Sequence, residues 1–251
     1  KVSEFVVPFM AVAYVLGTLF ILITNYDKIP STLAFIFSSA FNKTSAAGGF
    51  AGSTVALALK SGISRGVFSN ESGLGSAPIA AAASKTNSCV RQGLVQMTGT
   101  FFDTILVCTM TGVTLVLTGV WSDSSFEGAG ATTEAFRRGL ETAPFIGEMI
   151  VTIGLIFFAF TTILGWNYYG ERCVEYLFGV KGIKPYKYIF IFLIALGPFL
   201  KLKLIWTMAD IVNGLMAIPN LIGIIGLSGI IVKETNEFFN DLESNKIDKI
   251  A

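Results

Sequence analysis

The sequence predicts an all-α polytopic membrane protein with about six membrane crossings. Hydrophobic residues make up 53% of the 251 residues and charged residues only 14%, whereas a soluble domain carries roughly 25% charged residues. Three windows without a charged side chain, at 5–26, 149–170 and 211–232, are each long enough for a helix to cross the hydrocarbon core of a bilayer. The lipid bilayer is therefore the expected surroundings of this chain.

The composition also excludes several functional classes. The chain has no histidine, which is the commonest general base and metal ligand in proteins. Cys89, Cys108 and Cys173 show neither CxxC spacing nor an even count, so they predict neither a zinc site nor a disulfide framework. A formal net charge of +1 provides no basic field for nucleic acid. We therefore expect no nucleic-acid partner, no zinc enzyme and no His-dependent hydrolase.

The predicted elements alternate between membrane crossings and shorter helices. The first crossing, 5–26, lies between Glu4 and Asp27. Residues 30–42 carry three Phe but are too short to cross, so they predict an interfacial helix. Further crossings are expected at 94–120, 146–170, 187–200 and 204–232, with a loop helix at 128–142 and a solvated, frayed tail at 233–251.

Residues 44–84 predict a discontinuous crossing. Two apolar halves, 44–59 and 72–84, flank a polar run, and neither half is long enough to span the bilayer alone. Irregular backbone at membrane depth is tolerated where it is buried in protein or lines a cavity. The alternative is a span followed by a cytoplasmic loop with an Ala-rich helix at 77–84.

The densest polar cluster of the chain lies in this segment, at residues 68–78. Gly73 and Gly75 permit the open backbone of a helix break. Ser76 is placed to cap the following helix, with Pro78 in its first turn. The alternative is a capped turn in a cytoplasmic loop.

Polar groups at membrane depth are candidate binding groups because burying them in lipid is costly. Phe158, Thr161 and Thr162 are spaced i, i+3, i+4 and share one helix face. The Phe158 carbonyl and the two hydroxyls offer uncharged oxygen ligands for a sodium ion. Alternatively, both hydroxyls bond back to carbonyls one turn earlier. Trp166, one turn beyond Thr162, either walls a small pocket or belongs to the interfacial aromatic belt.

Asp103 and Asp210 are two of the acids that lie within predicted crossings. Asp103 follows Phe101 and Phe102, well inside its helix, and an acid at that depth is a functional-site hypothesis. The alternative for Asp103 is a structural ion pair with Lys60 or Arg65. Asp210 lies near the outer end of the last crossing, 204–232, where a helix-start or interfacial role is expected.

Four long runs resemble the alanine or glycine:cation symporter family. They are GVFSNESGLGSAPIAAAASKT (66–86), MTGTFFDTILVCTMTG (97–112), VTIGLIFFAFTTILGWNYYGERCVEYLFG (151–179) and DIVNGLMAIPNLIG (210–223), in family order and with family-like spacing. The resemblance implies a prokaryotic amino-acid carrier of the cell membrane with the leucine-transporter-like fold, which has two inverted repeats and sites at broken helices.

The resemblance covers the C-terminal half of the family. It implies that this chain holds the second inverted repeat plus the last helix of the first repeat. The expected partner is then the missing N-terminal half of the same protein. Lys and Arg are more numerous on the side that holds both chain ends, which predicts a cytoplasmic C-terminus.

By this resemblance, the function is sodium-coupled symport of a small neutral amino acid, alanine or glycine, by alternating access. The implied ligands of the sodium ion are Phe158, Thr161 and Thr162. The implied substrate-binding residues are Phe68, Ser69, Asn70, Thr162, Ile163 and Trp166, with Asp103 as a further candidate. Without the resemblance, an ion channel or another polytopic membrane subunit is the alternative.

Overall fold

A computed structural model describes residues 2–41, 51–71 and 73–244, and within these ranges all regular secondary structure is helical. The helices are α1 (Val2–Thr24), α2 (Ile29–Phe41), α3 (Ala51–Asn70), α4 (Ala77–Ala81), α5 (Cys89–Thr100), α6 (Thr109–Leu117), α7 (Ala129–Gly139), α8 (Pro144–Phe178), α9 (Ile183–Leu196) and α10 (Leu202–Glu243). A π-helical segment, Phe101–Cys108, joins α5 to α6.

Four helical stretches of the described residues are long and apolar enough to cross a membrane. They are Glu4–Thr24, Cys89–Leu117, Pro144–Phe178 and Leu202–Glu243. No residue of α10 is buried, although most of this helix is apolar. A helix that is apolar on all sides belongs in lipid or against other protein. The chain is therefore a multi-pass membrane protein.

Two of the expected crossings are not among these four stretches. The helix α3 contains Lys60 and Arg65, which lower its hydropathy, and α9 has 14 residues, so that it is only about 21 Å long. The number of crossings beyond the four therefore stays a prediction.

The expected boundaries differ from the structure in two further places. The polar run from Lys60 to Asn70 is helical, because Lys and Arg are good helix formers, and the backbone breaks only after Asn70. The tail is not frayed from residue 233, since α10 continues to Glu243. Lys233 and Glu237 form an i,i+4 pair at 3.8 Å that favours this extension. Residues 42–50, the start of the expected discontinuous segment, lie outside the described residues.

The chain forms two compact units. The first comprises Lys1–Ser61 with Asp103–Tyr168, and the second comprises Gly62–Phe102 with Tyr169–Ala251. The boundary at 102/103 falls inside the π-helical segment, and the boundary at 168/169 falls inside α8. Each unit is thus built from two separate stretches of sequence.

The core of the first unit lies where α7 packs against α1, α6 and the start of α8. Its buried residues are Ile21, Phe136, Leu140 and Val151, with Tyr14 and Ile150 packed against them. The Tyr14 ring lies 5.1 Å from the Phe136 ring, and its hydroxyl is 2.6 Å from Thr111 Oγ1 on α6. Gly147 lets α8 approach closely, because a Cβ there would lie 2.5 Å from the Phe136 carbonyl oxygen.

A cluster of charged side chains anchors α7 in this unit. Arg137 Nε donates to Glu134 Oε2 at 2.6 Å, and Arg138 Nε donates to Glu134 Oε1 at 2.7 Å. Arg138 Nη2 also donates to Asp123 at 3.0 Å. The hydrogen bonds from Arg137, and then those from Arg138, lower the pKa of Glu134 to about 2 despite burial of the carboxylate. The Glu134 carboxylate therefore stays ionised in the folded protein down to acidic pH.

This lowered pKa predicts an acid-dependent contribution to stability. A carboxyl whose folded-state pKa lies below its ordinary value of 4.5 stabilises the fold above that value, and the contribution is lost as pH falls toward about 2. We expect Glu134→Gln to lower the unfolding free energy by about 1–2 kcal/mol at neutral pH. In thermal unfolding in detergent, the difference from wild type should shrink at a pH of about 3.

Glu141→Gln is the matched control, because Glu141 lies just beyond α7 and is exposed. This control should not change the melting temperature at either pH. A Glu134→Gln effect of equal size at both pH values would contradict the role of the ionised carboxylate.

Candidate functional site

The backbone leaves the helical conformation directly after α3. Glu71, Gly73 and Gly75 have φ angles of 54°, 76° and 80°, in the left-handed region that favours glycine. Glu71 is the only described non-glycine residue with positive φ. Such backbone strain concentrates at functional sites. A polar break thus follows α3, about ten residues later than its expected start at Lys60.

The helix after the break is short and is not capped as expected. The helix α4 has five residues, Ala77–Ala81, with Pro78 in its first turn. Ser76 precedes it but makes no capping hydrogen bond. Its hydroxyl instead donates to Glu71 Oε2 at 2.7 Å. Ser76 therefore forms a hydrogen bond across the break, to Glu71, and does not cap α4.

The break packs closely against α10. At Gly75, a Cβ would lie 3.0 Å from Asn220 Oδ1. A side chain at Gly75 would meet this contact as well as the unfavourable positive φ. The glycine thus brings the broken backbone against α10.

A cavity of about 640 Å³ opens beside the break, within the second unit. Its polar wall includes Asn70, Glu71, Gln92, Gln96, Thr100 and Asn220. Volumes of this order are typical of small-molecule pockets. The side chains that line it offer both hydrogen-bond donors and acceptors without a basic residue. The cavity suits a small polar molecule.

The first group of predicted substrate residues lies at the end of α3. Phe68 is half-buried and Ser69 is exposed. Asn70 is the last residue of α3 and lines the cavity. The structure thus places this group directly before the break, within the second unit.

The other predicted site residues lie in the first unit, on the continuous helix α8. Thr161 Oγ1 donates to the Phe157 carbonyl at 3.0 Å and to the Phe158 carbonyl at 3.1 Å. This is the back-bonding that was the alternative to an ion site, but it holds only for Thr161. Thr162 is exposed, and its hydroxyl bonds to no other described residue. Ile163 is also exposed, at 37%, and Trp166 is half-buried.

Back-bonding by Thr161 leaves its oxygen able to bind a cation. A hydroxyl has one hydrogen to donate and two lone pairs to offer. The Thr161 hydroxyl donates its hydrogen to helix carbonyls, so both lone pairs of its oxygen remain available to bind a cation. The Phe158 carbonyl oxygen accepts the Thr161 hydroxyl and, within the continuous helix, the Thr162 N–H, so it has a free lone pair only when Thr161 bonds to the Phe157 carbonyl alone. No group of three or more His, Cys, Asp or Glu able to hold a metal exists among the described residues, so a cation on α8 depends on carbonyl and hydroxyl oxygens.

Asp103 lies in the π-helical segment Phe101–Cys108 and is half-buried. Such segments are rare and occur frequently at functional sites. The alternative partner Arg65 is bonded elsewhere, because it pairs with Asp210. Asp103 remains a candidate whose role is a prediction.

Sequence reasoning missed the partnership of Arg65 with Asp210. Asp210 is not at a helix start, since α10 begins at Leu202, about two turns earlier. The available signal was spacing: Trp206 and Asp210 are four residues apart on α10, and Arg65 and Phe68 are three apart on α3. Each pair therefore shares one helix face.

Comparison with known proteins adds to this geometry. Residues 1–251 match the sodium:alanine symporter family. The chain is 57% identical to an uncharacterized transporter of Haemophilus influenzae, over 98% of this chain and 54% of that protein. It is 49% identical to the sodium/alanine symporter AgcS of Methanococcus maripaludis, over 98% of this chain and 53% of that protein.

A more distant relative is the probable sodium/glutamine symporter GlnT of Bacillus subtilis. The identity is 33%, over 98% of this chain and 50% of that protein. The chain spans about half the length of the curated relatives it matches.

Proposed function

The chain belongs to the sodium:alanine symporter family, and we propose that it serves the coupled uptake of sodium and a small neutral amino acid, alanine or glycine. This is a family of transporters, not of enzymes. Coupling operates by alternating access in the whole protein. The ion drives uptake because it has different affinities for the two states of the carrier.

The observation that carries the proposal is the polar break after α3. Asn70 lines the 640 Å³ cavity beside it, and α3, which ends at the break, contacts the apolar, membrane-length helix α10. Irregular backbone within a membrane protein is retained where it lines a binding cavity. In the second unit, Phe68, Ser69 and Asn70 are the proposed amino-acid-binding residues, and of these Asn70 lines the cavity. In the first unit, the proposed amino-acid-binding residues are Thr162, Ile163 and Trp166.

Sodium binds the oxygen set of α8 in this proposal. The Phe158 carbonyl and the Thr161 and Thr162 hydroxyls supply uncharged oxygens, which suit a hard cation. Thr162 is exposed, and three oxygens from one helix leave most of a coordination shell open. The remaining ligands and the rest of the amino-acid site come from the part of the whole protein that corresponds to the other half of its relatives, an N-terminal half.

The membrane arrangement is proposed to be that of the leucine-transporter-like fold, with six crossings in this chain and a cytoplasmic C-terminus in a prokaryotic cell membrane. The 44–84 segment and α9 supply the two crossings beyond the four long stretches. Both are flanked by other protein in such a fold, which compensates for the polar residues of α3 and the shortness of α9.

Transport by the whole protein in liposomes tests the proposal. Labelled alanine is offered outside under an inward sodium gradient, and potassium replaces sodium in the control. We expect concentrative uptake only with sodium, saturable in alanine, and lost when an ionophore dissipates the gradient. A sodium flux that needs no amino acid and does not saturate would instead indicate a channel.

The substrate class is tested by competition. Unlabelled glycine and alanine should inhibit uptake of labelled alanine, and valine and leucine should inhibit weakly. Glutamine is included because one relative is named a probable sodium/glutamine symporter. Inhibition by glutamine stronger than by alanine would overturn the assignment to small side chains while leaving sodium-coupled amino-acid transport in place.

A further inference from the structure

The end of α3 and the first part of α10 are joined by an ion pair that the proposed transport does not use. Asp210 Oδ1 accepts a hydrogen bond from Ser64 Oγ at 2.8 Å. Its Oδ2 accepts one from Arg65 Nη2 at 3.2 Å. Each carboxylate oxygen therefore has its own donor, and the two donors are consecutive residues of α3. This double contact fixes the rotation of α3 about its axis.

Trp206 extends the contact by one helical turn. The Arg65 guanidinium carbon lies 3.9 Å from the centroid of the Trp206 ring. The Phe68 ring meets Trp206 edge-on, with centroids 5.6 Å apart and an interplanar angle of 76°. Both contacts are favourable, because the electron-rich face of an aromatic ring attracts a cation and also the edge of another ring. The position of Phe68 thus depends on Trp206, and that of Trp206 on Arg65.

The far side of the break is held by the same helix. Gly75 packs on Asn220, which lies about 21 Å along α10 from Trp206. The two flanks of the break, at Phe68 and at Gly75, therefore both rest on α10. Both contacts are therefore made by one helix, in which Pro219 lies next to the second contact.

The ion pair is poorly explained by stability alone. The Arg65 and Asp210 side chains are each 39% exposed, so this chain encloses the pair only in part. Arg65 Nη1 is enclosed and has no hydrogen-bond partner among the described residues, which costs free energy. Charged groups within the helices of a membrane protein are costly and usually serve function.

We propose that Asp210 and Trp206 are positioning residues for the amino-acid site, acting through Arg65 to set where Phe68 stands. Neither residue touches the substrate. This inference rests on the proposed function, because Phe68 matters to transport only if it lines the amino-acid site. It assigns to α10 the task of holding the Phe68–Asn70 wall in its binding position.

The test uses the whole protein in liposomes and measures sodium-driven uptake of labelled alanine. Asp210→Asn keeps the shape and an acceptor for Ser64 but removes the charge. Trp206→Leu removes the ring, and Trp206→Phe restores a smaller one. Glu237→Gln is the control, since it removes a charge from the same helix at an exposed pair with Lys233. Melting temperature in detergent is measured for every variant.

We expect Asp210→Asn to raise the KM for alanine about tenfold while the maximal rate and the half-saturating sodium concentration stay within about twofold, since ground-state binding is what is lost. Trp206→Leu should change the order in which glycine, alanine, serine and valine compete, and Trp206→Phe should largely restore it. Glu237→Gln should leave all of these values at those of wild type.

Two outcomes would overturn the inference. One is an unchanged KM and an unchanged order of competitors in well-folded Asp210→Asn and Trp206→Leu. The other is a lowered melting temperature with unchanged KM, which would make the contact merely structural. If Asp210→Asn does not fold, Trp206→Leu compared with Trp206→Phe tests the same series of contacts. Failure of wild type to take up alanine with sodium would instead refute the proposed function.

Discussion

Thr162→Val is expected to raise the half-saturating sodium concentration for alanine uptake about tenfold or more, equivalent to at least about 1.4 kcal/mol. The substitution keeps the shape of the side chain and deletes one oxygen. The Thr162 hydroxyl is exposed and bonds to no other described residue. A change in the half-saturating sodium concentration would therefore indicate the loss of an ion ligand and not the loss of a hydrogen bond within the helix. Uptake is measured as a function of sodium at saturating alanine.

Thr161→Val should shift the sodium dependence in the same direction. Its hydroxyl bonds to the Phe157 and Phe158 carbonyls, and losing such a back-bond alone costs about 1 kcal/mol or less of stability. Thr207→Val is the matched control, because Thr207 Oγ1 bonds back to the Lys203 carbonyl at 2.9 Å in the same way. Sodium dependence that is unchanged in both α8 variants would leave back-bonding as the only role of Thr161.

The long apolar helices were predictable from sequence because a single signal determines them. Runs of uncharged residues such as 5–26 need only be long enough to cross a bilayer, and no tertiary contact has to be known. Helix ends were harder. The continuation of α10 to Glu243 depends on helix propensity in a polar tail, which hydropathy does not detect.

The break after α3 was predictable in kind but not in position. The glycines at 73 and 75 indicate a helix break, whereas the charged residues Lys60 and Arg65 are compatible with a helix. In the structure α3 continues through Lys60 and Arg65, because Lys and Arg are good helix formers. Only residues in the left-handed region, beginning with Glu71, interrupt the helix.

The candidate site was predictable only as separate groups of residues. Spacing placed Phe158, Thr161 and Thr162 on one face, and the continuous helix α8 has them there. The pairing of Arg65 with Asp210 joins residues 145 positions apart. The spacing of residues within one helix does not indicate which distant helix it contacts. By charge alone, Asp103 was as plausible a partner for Arg65 as Asp210, and Lys60 was as plausible a partner for Asp210 as Arg65.

Trp166→Leu is expected to admit larger neutral amino acids. A small substrate requires a small pocket, and in the proposed site the large rigid ring one turn from Thr162 is the wall that would exclude bulk. A missing methylene is worth only about 1–3 kcal/mol of discrimination in an apolar pocket, so exclusion by a wall is the stronger filter. We expect valine to compete about tenfold better in the variant and alanine to bind more weakly through lost contact.

A competition profile across glycine, alanine, serine, valine and leucine separates a pocket wall from an interfacial belt residue. A belt residue anchors the helix at the membrane surface, so its loss would lower expression or melting temperature and leave the order of competitors intact. Trp121→Leu is the matched control, because Trp121 is 56% exposed and packs against Phe35 outside the long apolar stretches. A well-expressed Trp166→Leu variant with the wild-type order of competitors would place Trp166 outside the pocket. The limit on substrate size would then have to come from Phe68, which contacts Trp206 of α10.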